Sequence, residues 1–117
     1  MRQIGIIAAA GHFALDHNIA RLSEDHRRAQ LLARACHSAI SSTVDPTRVH
    51  TNIVALDITG AKITAAQFAA AAKEKGLMVS ALGPNFVRLV PHLDLDDAAI
   101  EEAATILTEL LHSSFVA

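Results

Sequence analysis

Arg88 is the residue whose type and surroundings most favour ligand chemistry. It lies in the apolar run Phe86–Val90, and in an extended strand Phe86, Arg88 and Val90 share one face. An arginine among apolar side chains is costly unless its guanidinium reaches water or an anion. The planar fork of the guanidinium matches a carboxylate through two parallel hydrogen bonds. Two interpretations stay open: a carboxylate-binding arginine, or an edge-strand arginine whose charged end reaches solvent along its apolar stem.

The histidines and the single cysteine give weaker signals. His12 and Asp16 have the i, i+4 spacing that places two side chains on one helical face, but no third ligand accompanies them, and we predict no metal site. His26 interrupts an apolar stripe, which indicates a packed or interface histidine. Cys36 lies ten residues further along the same predicted helix, too far for a Cys–His pair, and we expect a buried, inert thiol.

Other catalytic arrangements are not recognisable in the sequence. No two of the five glycines have the spacing of a phosphate-binding loop, and no serine follows the pattern of a nucleophile elbow. The acidic residues between Asp94 and Glu102 are typical of a helix start, where negative charge is stabilised by the helix dipole. We therefore assign no catalytic residue within the chain.

Composition excludes several classes of partner. The chain has 117 residues and a formal net charge of −2, so no basic field indicates nucleic acid or an anionic membrane. One cysteine excludes an internal disulfide and fits a reduced, cytoplasmic setting. The mean hydropathy of +0.31 is high for a small domain, which suggests that another surface covers part of the chain.

Two helices are predicted at the N-terminal end. Residues 3–16 read as a helix that is apolar on every side, and such a helix is normally buried. Asn18 is placed to cap a second helix over residues 19–40, whose apolar stripe alternates steps of three and four residues. Together, residues 1–40 are predicted to form a helical connector with interface helices.

The rest of the chain alternates strands and helices. The Thr-x-x-Gln pattern from Thr64 predicts a capping box, and Gly76 suits the left-handed conformation that ends a helix. The predicted elements are strand Val49–Ile58, a helix from Thr64 to Gly76, strands Leu77–Leu82 and Phe86–Val90, and a last helix capped by Asp96. This order predicts an α+β fold, with a small, three-stranded, mainly antiparallel sheet and helices packed on one face. We expect one domain over residues 1–117, of which residues 41–117 form the α+β body.

Four segments in the same order resemble the last third of low-specificity threonine aldolases. They are Met1–Gly11, Ala14–His26, Thr51–Val54 and Val87–Asp94. These enzymes are pyridoxal-phosphate (PLP) lyases of the aspartate-aminotransferase fold (fold type I). One departure is Pro91, which stands where the family pattern has threonine.

The resemblance implies the C-terminal small domain of such an enzyme, with the upstream PLP-binding domain absent from this chain. It implies that the small domain packs against that missing domain and against neighbouring subunits of a homo-oligomer. By the same resemblance, Arg88 would bind the α-carboxylate of an amino-acid substrate. Arg2 would lie near a subunit interface and reach the phosphate of the cofactor.

A PLP aldolase needs a lysine that holds the cofactor as a Schiff base. Lys62 precedes a predicted helix cap, whereas Lys73 and Lys75 lie in the last turn of that helix, where cations complement the dipole. In the family the Schiff-base lysine lies upstream of the segment seen here. We therefore expect the isolated chain to be inactive and to bind no PLP covalently.

Three functions stay open on the sequence. The first is retro-aldol cleavage of β-hydroxy-α-amino acids, such as threonine to glycine and acetaldehyde, by an enzyme of which this chain is the C-terminal part. The second is another β-eliminating PLP lyase that acts on amino acids. The third is a catalytically inactive, stand-alone α+β module for interaction or ligand binding.

Overall fold

The computed structural model describes residues 2–116, so Met1 and Ala117, the two ends of the predicted domain, lie outside the described residues. The prediction of a single domain over residues 1–117 stays a prediction. The elements in chain order are α1 (Ile4–His17), α2 (Leu22–Ala39), a 3-10 turn (Pro46–Arg48), β1 (Val54–Asp57), α3 (Ala65–Glu74), β2 (Ser80–Leu82), β3 (Phe86–Leu89) and α4 (Asp97–Phe115). The α+β class is confirmed.

Local capping chemistry sets the bounds of α3 and α4. The Thr64 hydroxyl accepts from the Gln67 backbone N–H at 3.3 Å, and the Gln67 side-chain oxygen accepts from the Thr64 N–H at 2.9 Å, which completes the capping box. Gly76 follows α3 with φ +86°, and the Asp96 carboxylate accepts from the Ala99 N–H at 2.8 Å. These three predictions are confirmed.

The predicted start of α2 is wrong. Asn18 closes α1, because its backbone N–H donates to the Ala14 carbonyl, and α2 begins only after Arg21, without a side-chain cap. Residues 18–21 form the turn between the two helices.

The predicted strands are too long, because the three strands pair over only three or four positions. Strand β1 covers Val54–Asp57 rather than residues 49–58, β2 covers Ser80–Leu82 rather than residues 77–82, and β3 ends at Leu89. The segment before β1 is a loop, in which the Asn52 side-chain amide donates to the Pro91 carbonyl at 3.0 Å.

The sheet has the order β1-β3-β2, and both pairings are antiparallel. Its inner face buries Val54, Leu56, Val87 and Leu89. Helices α2, α3 and α4 pack on this side and contribute the remaining core, which includes Phe68, Cys36, Ile100, Leu107 and Leu111. No helix formed by residues 2–116 packs on the opposite face of the sheet, which we call the outer face.

Helix α1 forms as predicted but is not buried: none of its residues is buried, and Ile6 is 71% exposed. Burial in α2 begins at Asp25, and the stripe from Ala29 through Ala33 to Cys36 is fully buried. His26 is exposed, so a packed role within the chain is wrong. The helices formed by residues 2–116 are all too short or too polar to cross a membrane.

Candidate carboxylate-binding site

Arg88 lies on the central strand of the sheet. A turn through Gly83, which has φ +71°, brings β3 back along β2, and β3 then pairs on its other side with β1. The burial of β3 alternates as the sequence predicts: Val87 and Leu89 are buried, and Arg88 is half-buried on the outer face. The interpretation of Arg88 as an edge-strand residue is therefore wrong.

Two small side chains flank Arg88 on the neighbouring strands. The sheet register pairs Arg88 with Ala55 of β1 and with Ser80 of β2. Directly opposed residues of antiparallel strands share a face, with Cα atoms about 4.5–5.5 Å apart. The residues directly opposite Arg88 on both neighbouring strands are therefore small.

One donor of the Arg88 guanidinium group is not satisfied within residues 2–116. Arg88 Nε is buried and has no hydrogen-bond partner among residues 2–116. An unsatisfied buried donor destabilises a fold by about 1–3 kcal/mol, and native structures contain few of them. A carboxylate that accepts from Nε and from one terminal nitrogen would satisfy this donor through a planar pair of hydrogen bonds.

The carboxylate nearest to Arg88 in the sheet register is already engaged. Asp57 pairs with Phe86, which places it on the outer face one row away from Arg88, at about 7–8 Å along the diagonal. Its Oδ1 accepts from both the hydroxyl and the backbone N–H of Thr59, and these two bonds, the hydroxyl first, hold the pKa of Asp57 below its usual range. Within residues 2–116, Asp57 forms no ion pair with Arg88.

The segment after Arg88 is anchored despite the proline in place of the family's threonine. Pro91 is fully buried, and its carbonyl accepts the hydrogen bond from Asn52. This contact links the loop before β1 to the end of β3, so both strands that support the outer face are tied together at this end.

The structure does not bring Arg2 to Arg88. Arg2 is exposed before α1, and no hydrogen bond or ion pair joins it to another residue within 2–116. Its predicted role at a subunit interface, near a cofactor phosphate, remains a prediction.

The lysines of the described region do not fit covalent attachment of PLP. Lys62 and Lys73 are exposed, and the Lys75 ammonium lies 3.0 Å from a carboxylate oxygen of Glu109. A Schiff-base lysine instead needs an unprotonated amine in a shielded site. Within residues 2–116, none of the three lysines lies in such a shielded site.

The structure gives no sign of a metal-binding role for His12 or of a reactive thiol at Cys36 within residues 2–116. His12 Nδ1 lies 3.1 Å from Asp16 on the exposed surface of α1, and residues 2–116 contain no cluster of three or more metal-ligating side chains. Cys36 is fully buried, and burial raises the pKa of its thiol to about 12, which makes it the inert group expected.

A cavity of about 340 Å³ lies on the helix side of the sheet, lined mainly by apolar residues such as Leu89, Ile100 and Leu107. It is separate from the outer face that carries Arg88.

Sequence reasoning missed Ser80 and Ala55 as neighbours of Arg88. Only the pairing of strands that are far apart in the chain brings them together.

Comparison with known proteins gives concordant matches. The model of the family described as beta-eliminating lyase matches residues 1–59. The probable low-specificity L-threonine aldolase 2 of Arabidopsis thaliana is 31% identical over 114 residues, which is 97% of this chain. The low specificity L-threonine aldolase of Escherichia coli (strain K12) is 36% identical over 104 residues, or 89% of this chain.

The chain spans about a third of the length of these curated relatives. The aligned part is 32% of the Arabidopsis thaliana protein and 29% of the Escherichia coli protein.

Proposed function

This chain belongs to the beta-eliminating lyase family, and on that premise we propose that it is the C-terminal part of a PLP-dependent, threonine-aldolase-like lyase. The reaction proposed is cleavage of β-hydroxy-α-amino acids, with threonine giving glycine and acetaldehyde. The observation that carries the proposal is the half-buried Arg88 on the central strand, whose Nε lacks a partner. The names of the relatives support the choice of aldolase over another lyase of the family.

Arg88 binds the α-carboxylate of the amino acid in this proposal. Its fork donates two parallel hydrogen bonds, which fix the plane of the carboxylate and with it the direction of the Cα–Cβ bond. Holding the scissile bond in one orientation lowers the entropic part of the barrier, so Arg88 contributes to the rate as well as to substrate affinity.

The cofactor of the family is PLP, but the three lysines of this chain do not fit its covalent attachment. We propose that the lysine and the chemistry of bond cleavage belong to an N-terminal cofactor domain outside these 117 residues. The chain by itself is then inactive. We also place the protein in the cytoplasm, which the single buried Cys36 thiol supports.

We further propose that α1 is covered by this cofactor domain and by neighbouring subunits of a homo-oligomer. The support is the apolar surface of α1, where Ile4, Ile7 and Leu15 are each at least 60% exposed. Burying apolar surface is worth about 25 cal/mol per Å², so this helix favours association. We expect the 117-residue chain to sediment as a dimer or larger species. A chain that stays monomeric at high micromolar concentration would contradict this part of the proposal.

The function is tested first in the DNA upstream of Met1 and then by mutation. The upstream reading frame should encode a cofactor domain with a shielded lysine. In the enzyme that combines this chain with the upstream cofactor domain, Arg88→Lys keeps the charge but loses the planar guanidinium that donates two parallel hydrogen bonds. We expect it to lower kcat/KM for threonine, and the loss of transition-state stabilisation should be about 2–5 kcal/mol.

Arg34→Lys is the matched control, because Arg34 is exposed on α2 and forms no ion pair within residues 2–116. It should keep the activity of the parent enzyme. If Arg88→Lys cleaves threonine within about twofold of the parent, less than about 0.5 kcal/mol, the assignment of Arg88 fails. An upstream region without a cofactor domain would favour the stand-alone binding module instead.

A further inference from the structure

Ser80 carries a hydroxyl on the strand that neighbours Arg88. Both residues lie on the outer face in directly opposed positions of β2 and β3. Ser80 is exposed, and no hydrogen bond formed within residues 2–116 uses its hydroxyl. We propose that Ser80 is a second carboxylate-binding group and that Ala55, on the other side of Arg88, keeps the site open by being small. This inference rests on the proposed role of Arg88 and adds two residues to it.

The donor requirements of a carboxylate favour such an arrangement. A carboxylate has about four lone-pair sites, and a bidentate arginine uses only two of them. The two remaining sites point away from the fork, and a hydroxyl one strand away can donate to one of them. Ser80 then adds a third hydrogen bond to the two that Arg88 donates to the carboxylate.

Ala55 determines the access to Arg88 from β1. Its Cβ lies on the outer face directly opposite Arg88, so a longer side chain at this position would take up room beside the Arg88 side chain. Ala81 of β2 is an equally exposed alanine, but it pairs with Val87, and the alternation of the strand directs it away from the face of Arg88. The two alanines therefore form a matched pair for a test of steric access.

The chemistry of the surroundings favours a small organic carboxylate over a hydrated inorganic anion. The next row of the outer face contains Phe86 and Leu82, which are 45% and 43% exposed. Apolar surface beside the cation suits a ligand with a short carbon skeleton. Asp57, in the same row, accepts hydrogen bonds from Thr59 and forms no ion pair with Arg88 within residues 2–116.

The proposal is tested on the 117-residue chain with acetate as the probe and with chloride at equal ionic strength as the reference. The Nε–Hε signal of Arg88 in ¹⁵N NMR spectra reports directly on the donor that has no partner. We expect acetate to shift this signal in a saturable way. Ser80→Ala should weaken acetate binding about tenfold, because a hydrogen bond to a charged group is lost. Ser80→Thr, which keeps the hydroxyl, should restore binding.

The controls separate binding from folding. Ser41→Ala removes an exposed hydroxyl from the turn after α2, outside the sheet, and should leave acetate binding unchanged. Ala55→Leu should weaken binding at least fivefold, whereas Ala81→Leu should not. The urea midpoint of each variant shows whether the fold is retained, and a loss of binding supports the proposal only where that midpoint is kept.

The outcomes distinguish this inference from the proposed function. If Arg88→Lys abolishes acetate binding but Ser80→Ala binds within twofold of the parent chain, Ser80 has no role and the function of Arg88 stands. If Ala55→Leu binds as well as Ala81→Leu, the role of Ala55 is overturned. If acetate never shifts the Arg88 signal, or if Arg88→Lys binds as the parent does, the proposed function of Arg88 fails as well.

Discussion

Two arginines of this molecule, Arg28 and Arg88, are largely shielded from solvent but differ in their hydrogen-bond partners. Arg28 of α2 is buried, and its Nε donates to an oxygen of Asp97 at 2.8 Å. Asp97 also accepts from Arg27 at 2.7 and 2.9 Å, so one carboxylate joins two arginines of α2 to the first turn of α4. Arg88 on the outer face of the sheet has a buried Nε for which the described part of the chain, residues 2–116, provides no hydrogen-bond partner.

The difference shows how a structural arginine can be told from one that is available to a ligand. The group around Arg28 is satisfied within the chain: it links two helices, and the carboxylate of Asp97 suits the positive end of the α4 dipole. Around Arg88 the chain offers small neighbours, and its nearest carboxylate in the register, Asp57, is engaged by Thr59. A charge that the fold leaves unpaired marks a place where function and stability compete.

Replacing each arginine by methionine should give opposite results. Arg88→Met removes the unsatisfied donor but keeps a flexible apolar stem, so we expect the free energy of unfolding to rise by about 1 kcal/mol. The same variant should lose acetate binding entirely. Urea unfolding and the NMR titration measure the two effects on one protein sample.

Arg28→Met is the partner experiment. It removes one of the two arginines that pair with Asp97, and the urea midpoint should fall while acetate binding is kept. The distinction between the two sites breaks down if Arg88→Met destabilises the chain as Arg28→Met does. In that case Arg88 serves the fold, and its unpartnered Nε carries no functional meaning.

The parts of the fold that depend on neighbouring residues could be predicted from the sequence. The capping box at Thr64, the left-handed Gly76 and the cap at Asp96 each involve side chains and backbone groups within a few residues of one another. The alternation of β3 also follows from its own residues, and it correctly separates Arg88 from the buried Val87 and Leu89.

What the sequence could not provide depends on contacts between distant segments. The central position of β3 follows from its pairing with β1, some thirty residues earlier, and this pairing also places Ala55 beside Arg88. The strand predicted from Val49 fails because pairing with β3 reaches only back to Val54. The exposure of α1 agrees with the expectation that one short domain cannot cover a helix that is apolar on every side, because within residues 2–116 no other element covers it. The surface that covers it stays a prediction.

The smallest expected effect is the change with pH in the contribution of Asp97 to the stability of the fold. Hydrogen bonds from Arg28 and, next, from Arg27 hold the pKa of Asp97 below its usual value of 3.8. A carboxyl group whose pKa is lower in the folded chain stabilises the fold above its unfolded pKa, and this contribution is lost as the pH falls through the folded pKa. Asp97→Asn should therefore have a lower urea midpoint than the parent at pH 7, and the difference should shrink as the pH falls below about 4.

The control is Glu101→Gln, an exposed residue of α4 in no ion pair within residues 2–116, which should leave the profile unchanged. The loss of stability in acid comes only partly from Asp97, because hydrogen bonds from threonine side chains also lower the pKa values of Asp45 and Asp57. The informative quantity is thus the difference in urea midpoint between the parent and Asp97→Asn at each pH, rather than the pH dependence of either protein alone. If that difference stays constant from pH 7 to pH 3, the contact of Asp97 with Arg28 does not stabilise the fold through charge. Arg28 would then resemble Arg88 in having no charge partner that matters for stability.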